Sequence, residues 1–340
     1  MKLKKIAIAV ALLSVVSVLV LIKDPNAQQD EALAAMYDNV IVKNAQSAVS
    51  QCHNWQQTLD AAQPGSRSSA IDAGFKDLIL RWKAVEATYI AGDLDQDAID
   101  YPRYLDIFHV GNESITEQMD KVLKSSSAPK TALYKHSYKT VNALEAVLYG
   151  ADDLSERRLA IAKGISDNIC ERLGDIANVY ETNRENFLSA RDNALSMLAN
   201  VLANQTLGLK DWRIGDVAGL TKKYLNQPDP RRAEYFLSHL SLAAIGEILH
   251  TQSQLISPQA FPNFVEIADI YGAQKPLEQA QSQLAQAEAE VAKLNKSEFD
   301  FDQQQSKLLY QVVGKLQSSY YNSLIQALPV MAKILEADGD

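Results

Sequence analysis

The segment Tyr138-Lys139-Thr140-Val141-Asn142-Ala143-Leu144-Glu145-Ala146-Val147-Leu148-Tyr149-Gly150 holds the residues of this chain best suited to chemistry. On one helix, Val141, Leu144 and Leu148 form an apolar face, and Tyr138, Asn142, Glu145 and Tyr149 form a polar and aromatic stripe beside it. A carboxylate flanked by an amide and two phenols would make a small ligand site. The same pattern also describes a surface acid next to aromatic core edges. Asp106 and His109 stand three apart, so one helical turn would present an oxygen and a nitrogen ligand to a metal ion. Ser238, His239 and Ser241 suggest a hydrolase. A serine next to its own histidine cannot receive the imidazole, however, when consecutive helical residues point apart. The two hydroxyls better suit a helix start facing a carboxylate or an anionic ligand.

The familiar enzyme signatures are absent: there is no Gly-rich phosphate loop after a strand, no Cys-x-x-Cys pair and no His-Glu-x-x-His helix. The five histidines, at 53, 109, 136, 239 and 250, never fall one turn apart on a helix, which argues against zinc hydrolysis of the usual type. A formal net charge of −9, with no Lys or Arg run beyond the first residues, excludes the basic stripe that nucleic acid requires.

These groups have to be positioned by helices. With 14 Gly and 10 Pro in 340 residues, the chain lacks the turn signals of a β-sandwich or barrel, and 47% hydrophobic content is enough for two cores. Apolar spacing of three and four predicts helices over 31–59 and 69–91. An acidic connector, 92–102, follows; it starts like a calcium loop but has Ala98 and Tyr104 where Gly and Glu are needed. Further helices are predicted over 114–124 and 129–148, and a long amphipathic stretch runs from 153 to 207. After a Gly-marked loop, Asp229-Pro230 should open a helix to about 255, followed by helices over 277–294 and 303–335, with Pro329 bending or ending the last. The expected architecture is all-α: two packed up-and-down bundles, residues 31–151 and 152–340, behind an N-terminal segment 1–27.

That segment reads as a targeting signal, with Lys2, Lys4 and Lys5 ahead of an apolar run from Ile6 to Ile22. Cleavage after Ala27 and retention as a membrane anchor both fit, and either places the body in the periplasm, touching membrane through this segment only. Export would put Cys52 and Cys170 in an oxidising compartment, where they either pair as a disulfide or remain as two buried thiols.

The Tyr138 to Gly150 segment resembles the Gly-x-His-x-x-Glu helix of the imelysin family, in which an apolar run and a Gly follow the Glu. Glu145, the apolar run and Gly150 match; Thr140 stands for the Gly and Asn142 for the His. Arg232 to Leu242 is similar to the family's Glu and Ser-x-x-Ser segment through Glu234, Ser238 and Ser241, with Leu237 where Arg is usual. Trp82 on an early helix and the terminal Asp338-Gly339-Asp340 also resemble the family. The resemblance implies two helical bundles and a site between them made of Tyr138, Asn142, Glu145, Tyr149, Glu234, Ser238 and Ser241. It further implies iron as cofactor or cargo, with Glu145 among its ligands, and an iron species or iron-uptake protein as partner. Some members are described as metallopeptidases. An amide oxygen is a weaker transition-metal ligand than imidazole, so Asn142 turns the expectation here towards a non-catalytic binding protein of the envelope, with an interaction scaffold as a further alternative.

Overall fold

Side-chain caps and helix-opening prolines set most helix starts. The computed structural model describes residues 24–111, 113–296 and 299–333, and the Lys2 to Ile22 run and the Asp338 to Asp340 ending lie outside them. Asp24 caps α1 (Pro25–Met36), which passes through a π turn, Tyr37–Val42, into α2 (Lys43–Ala61) as one continuous rod. Ser68 accepts from the Ile71 N–H to start α3 (Ser69–Glu86). The acidic connector folds into two short helices, α4 (Ala91–Leu94) and α5 (Tyr101–Leu105), before Ser114 caps α6 (Ile115–Lys124).

The helix expected over 129–148 is broken. It consists of α7 (Pro129–Ala132), a 3-10 turn at His136–Lys139 and α8 (Val141–Tyr149). Thr140 is extended and its hydroxyl accepts from the Ala143 N–H, so it caps a new helix and does not continue an old one. Ser155 caps α9 (Glu156–Thr182), followed by α10 (Arg184–Ser189) and α11 (Arg191–Gly208), which widens into a second π turn at Leu209–Gly215. The helix expected from Pro230 is the second correction: Asp229-Pro230 opens only a 3-10 turn, Pro230–Arg232, and α12 (Ser241–Ile256) starts nine residues past Arg232. The intervening segment cannot be helical, because Tyr235 and His239 both have φ of 57°, in the left-handed region. Asn263 and Glu266 form a capping box on α13 (Phe264–Tyr271), which Gly272 closes at φ 68°. After α14 (Gln274–Leu294), α15 (Gln303–Ser318) runs through a π turn at Ser319–Leu324 into α16 (Ile325–Ala327). It stops where Leu328 extends before Pro329.

The chain is all-α apart from β1 (Gly65–Ser66) paired antiparallel with β2 (Asp153–Leu154). One helix group packs α2 against α3 and α9, with α6 and α8 alongside; the other packs α14 against α12 and α15, with α11 alongside. α9, which follows residue 151 in the chain, lies on α2 and α8, in the first group. The groups meet where α3 packs on α12, and α1 reaches into the second group to lie on α13. A single apolar core runs through both, built around Trp55, Phe75, Trp82, Tyr37 and Tyr320. A disulfide joins Cys52 of α2 to Cys170 of α9, with Cα atoms 5.5 Å apart. Among the described residues, no helix is long and apolar enough to cross a membrane.

Candidate functional site

Among the described residues Lys83 is the most deeply buried charge, and its position follows from helix phase. It sits four residues after Ile79 and eight after Phe75, so α3 turns it into the core, where it is completely buried. Its ammonium donates to Glu86 Oε2 at 2.7 Å, Asp106 Oδ2 at 2.8 Å and Glu234 Oε1. Arg213 enters from the far side, carried inward by the π turn at Leu209–Gly215, and donates from Nε to Glu234 Oε2 at 2.7 Å and from Nη2 to Glu86 at 3.0 Å. Trp82 Nε1 and the Tyr235 hydroxyl also donate to Asp106 Oδ2, at 3.0 and 2.9 Å, and the Phe108 N–H takes Oδ1. Two cations thus hold three carboxylates, from α3, the end of α5, the π turn and the 233–240 segment, at the seam between the helix groups.

The network fixes its own charge states. Burial works against the Lys83 ammonium, but Asp106, Glu234 and Glu86 hold its pKa above the usual lysine range. Burial would raise the Asp106 carboxyl, yet Lys83 wins and holds it well below the usual carboxylate range. Glu234 is pushed upward by burial against the pull of Arg213 and Lys83.

Glu145 lies beside this network on α8, only 4% exposed. Both the N–H and the hydroxyl of Ser238 donate to its Oε1, at 2.9 and 2.6 Å, fastening α8 to the 233–240 segment. Burial dominates its titration: with Glu234 and Asp106 adding to the effect and Ser238 opposing it, the carboxyl is pushed up to about 7. Ser241 donates its hydroxyl to the Glu234 carbonyl, so the segment is pinned on both sides of His239. Over the Ser238 pin lies a cleft of about 520 Å³, lined by Arg67, Asp72, Lys76, Tyr149, Ser238 and His239 among others.

Asn142, Glu145 and Tyr149 share α8 as expected, but Tyr138 does not join them. Tyr138 sits on the preceding 3-10 turn and its hydroxyl donates to Gln118 at 2.9 Å. Asn142 Oδ1 accepts from the Ile107 N–H at 2.8 Å, and Tyr149 packs on Phe75 with Arg67 4.1 Å above its ring. Ser238 is not on a helix, and Ser241 begins one only after the strained segment ends. Asp106 and His109 part company as well, because the chain leaves α5 at Asp106 in an extended conformation. His109, at φ 60°, stacks on Trp212 at 4.6 Å and meets Asp216 at 3.1 Å. An iron ion does not fit these residues: the Asn142 oxygen, Asp106 and Glu145 Oε1 accept from protein donors. Among the described residues, no three His, Cys, Asp or Glu gather to hold a metal.

Lys83, Glu86 and Arg213 went unread in the sequence. A lysine in phase with an apolar face was the available signal for Lys83; nothing local marks Arg213, since only the π turn directs it inward.

The all-helical body agrees with what known proteins of similar sequence and fold show. The imelysin family model, which carries the peptidase M75 designation, matches residues 34–327. The chain belongs to the imelysin family. It is similar in fold to an imelysin-like protein from Psychrobacter arcticum 273-4, at TM-score 0.76 and 16% identity, covering 91% of this chain and 98% of that one. It is also similar to a protein assigned as an iron-regulated protein A precursor from Parabacteroides distasonis ATCC 8503, at TM-score 0.64 and 11% identity, covering 87% and 95% respectively. Among curated proteins, none matches the chain.

Proposed function

We propose that this chain is a non-catalytic binding protein of the bacterial envelope that serves iron acquisition, taking its ligand in the cleft over Ser238 at the seam of the two helix groups. One observation carries the reading: the N–H and hydroxyl of Ser238 both donate to Glu145 and tie α8 to the 233–240 segment beneath the cleft, and among the described residues no three His, Cys, Asp or Glu gather to hold a bare metal ion. The ligand is then an iron chelate or a partner protein. The iron-regulated designation of the Parabacteroides relative supports the iron association. The apolar run behind Lys2, Lys4 and Lys5 supports the envelope location.

The Ser238 to Glu145 bond also favours a second reading, since a carboxylate 2.6 Å from a serine hydroxyl is how a base activates that nucleophile. Against it, the Ser238 N–H is held on the same carboxylate oxygen and is withdrawn from any oxyanion.

The test is iron analysis of protein purified from periplasm, with Glu145→Gln compared to the surface control Glu113→Gln. Loss of copurifying iron in the first variant alone is the expected result; equal iron in both overturns the binding reading. Fluorophosphonate labelling of Ser238, or metal-dependent cleavage of unfolded substrates that disappears in Glu145→Ala, would establish an enzyme instead.

A further inference from the structure

Two recesses away from the Glu145–Ser238 contact share Leu242 and Asn295 as walls. The first, about 240 Å³, lies between the Pro230 to Leu242 segment and the start of the connection to α15; Phe236, Phe299, Phe301 and Leu294 surround it. The second, about 300 Å³, runs along α12 and α14 past Ala243, Gly246, Val291 and Ala292 and has Glu288 in its wall. Small side chains keep this channel open. A Cβ added to Gly246 would meet only Val291, at 3.4 Å, so the space beside it is empty.

The charges along this path are uneven. Glu288 is half-buried and is the only charged residue lining the channel. Burial holds its carboxyl above the usual range, and the one group pulling the other way is His250, which also faces the half-buried Glu247. At the aromatic end, the permanent cation Arg231 is turned away onto Asp229 by two bonds of 2.9 Å. An ammonium placed at Glu288 would therefore meet a carboxylate with no strong cation of its own. Seven residues of α14 separate Glu288 from Asn295, or about 10 Å, which spans an aromatic ring plus a short alkyl chain.

The geometry points to a binding site for a small primary amine with an aromatic tail, its ring among the phenylalanines and its ammonium at Glu288. The aromatic recess shares the 233–241 segment with the seam as a wall, but neither recess is lined by Glu145 or Ser238, so the proposal stands whether or not the seam cleft binds iron. Three matched probes test it by calorimetry on the full chain: phenylbutylamine, phenylbutanol and phenylbutyrate. The amine binds with one-to-one stoichiometry, and the alcohol and carboxylate bind about tenfold weaker or less. Glu288→Gln brings the amine down to the affinity of the alcohol. Gly246→Leu fills the channel and removes binding while still unfolding cooperatively, and Gly246→Ala, which the open space accommodates, unfolds at or above the wild-type midpoint and keeps binding. Phenylbutyrate binding as tightly as the amine, binding undiminished in Gly246→Leu, or no binding of any probe overturns the proposal.

Discussion

Glu145 is a carboxylate held in the form it least prefers at high pH. Its folded pKa, about 7, lies above the ordinary 4.5, so the folded state keeps a proton that the unfolded chain gives up. The sign follows: its contribution to stability is complete below about pH 4.5 and is lost as pH rises through 7. Urea unfolding across that window should show wild type losing stability relative to Glu145→Gln, and parallel curves would sink the assignment. Lys83 carries the opposite risk. Lys83→Met leaves Asp106, Glu86 and Glu234 with only Arg213 between them, and chemical denaturation should report a loss of about 3–5 kcal/mol. An unchanged midpoint would mean that the three carboxylates take up protons at no cost.

At the scale of elements, periodicity and caps made most of the fold legible. Ser114 and Pro129 mark real helix starts, and Phe75, Ile79 and Trp82 fall on the buried face their spacing gives. Legibility failed where a side chain competes with the helix. Thr140 takes the Ala143 N–H for itself, so Tyr138 left the stripe, and the 233–240 segment carries left-handed backbone at Tyr235 and His239 that no local signal announces. The site was legible as two short segments, 138–150 and 232–242, which the family resemblance implied would face each other; that Lys83 lies behind them depends on contacts between residues far apart in sequence. The disulfide is also long-range, closing 118 residues between α2 and α9. Removing it as Cys52→Ala with Cys170→Ala should cost about 2–5 kcal/mol of stability, read as a lower denaturation midpoint that matches reduced wild type. A midpoint equal to oxidised wild type would show that the two helices need no covalent link.

For the whole molecule, location decides what the site can meet. The proposal that Lys2 to Ile22 carries the body across the inner membrane predicts that protease digests the chain in intact spheroplasts, and full protection would refute export. The continuous rod of α1, the first π turn and α2 has a consequence for assembly. Its leading end, with Ala32, Leu33 and Met36, is buried against helices that include α13, which emerges from the ribosome more than two hundred residues later. The first group of helices therefore cannot close over its own N-terminus while the chain is still being made. Apolar surface at the leading end stays uncovered until α13 has been synthesised, so the N-terminal helices finish packing late, an order of assembly that would suit the export proposed above.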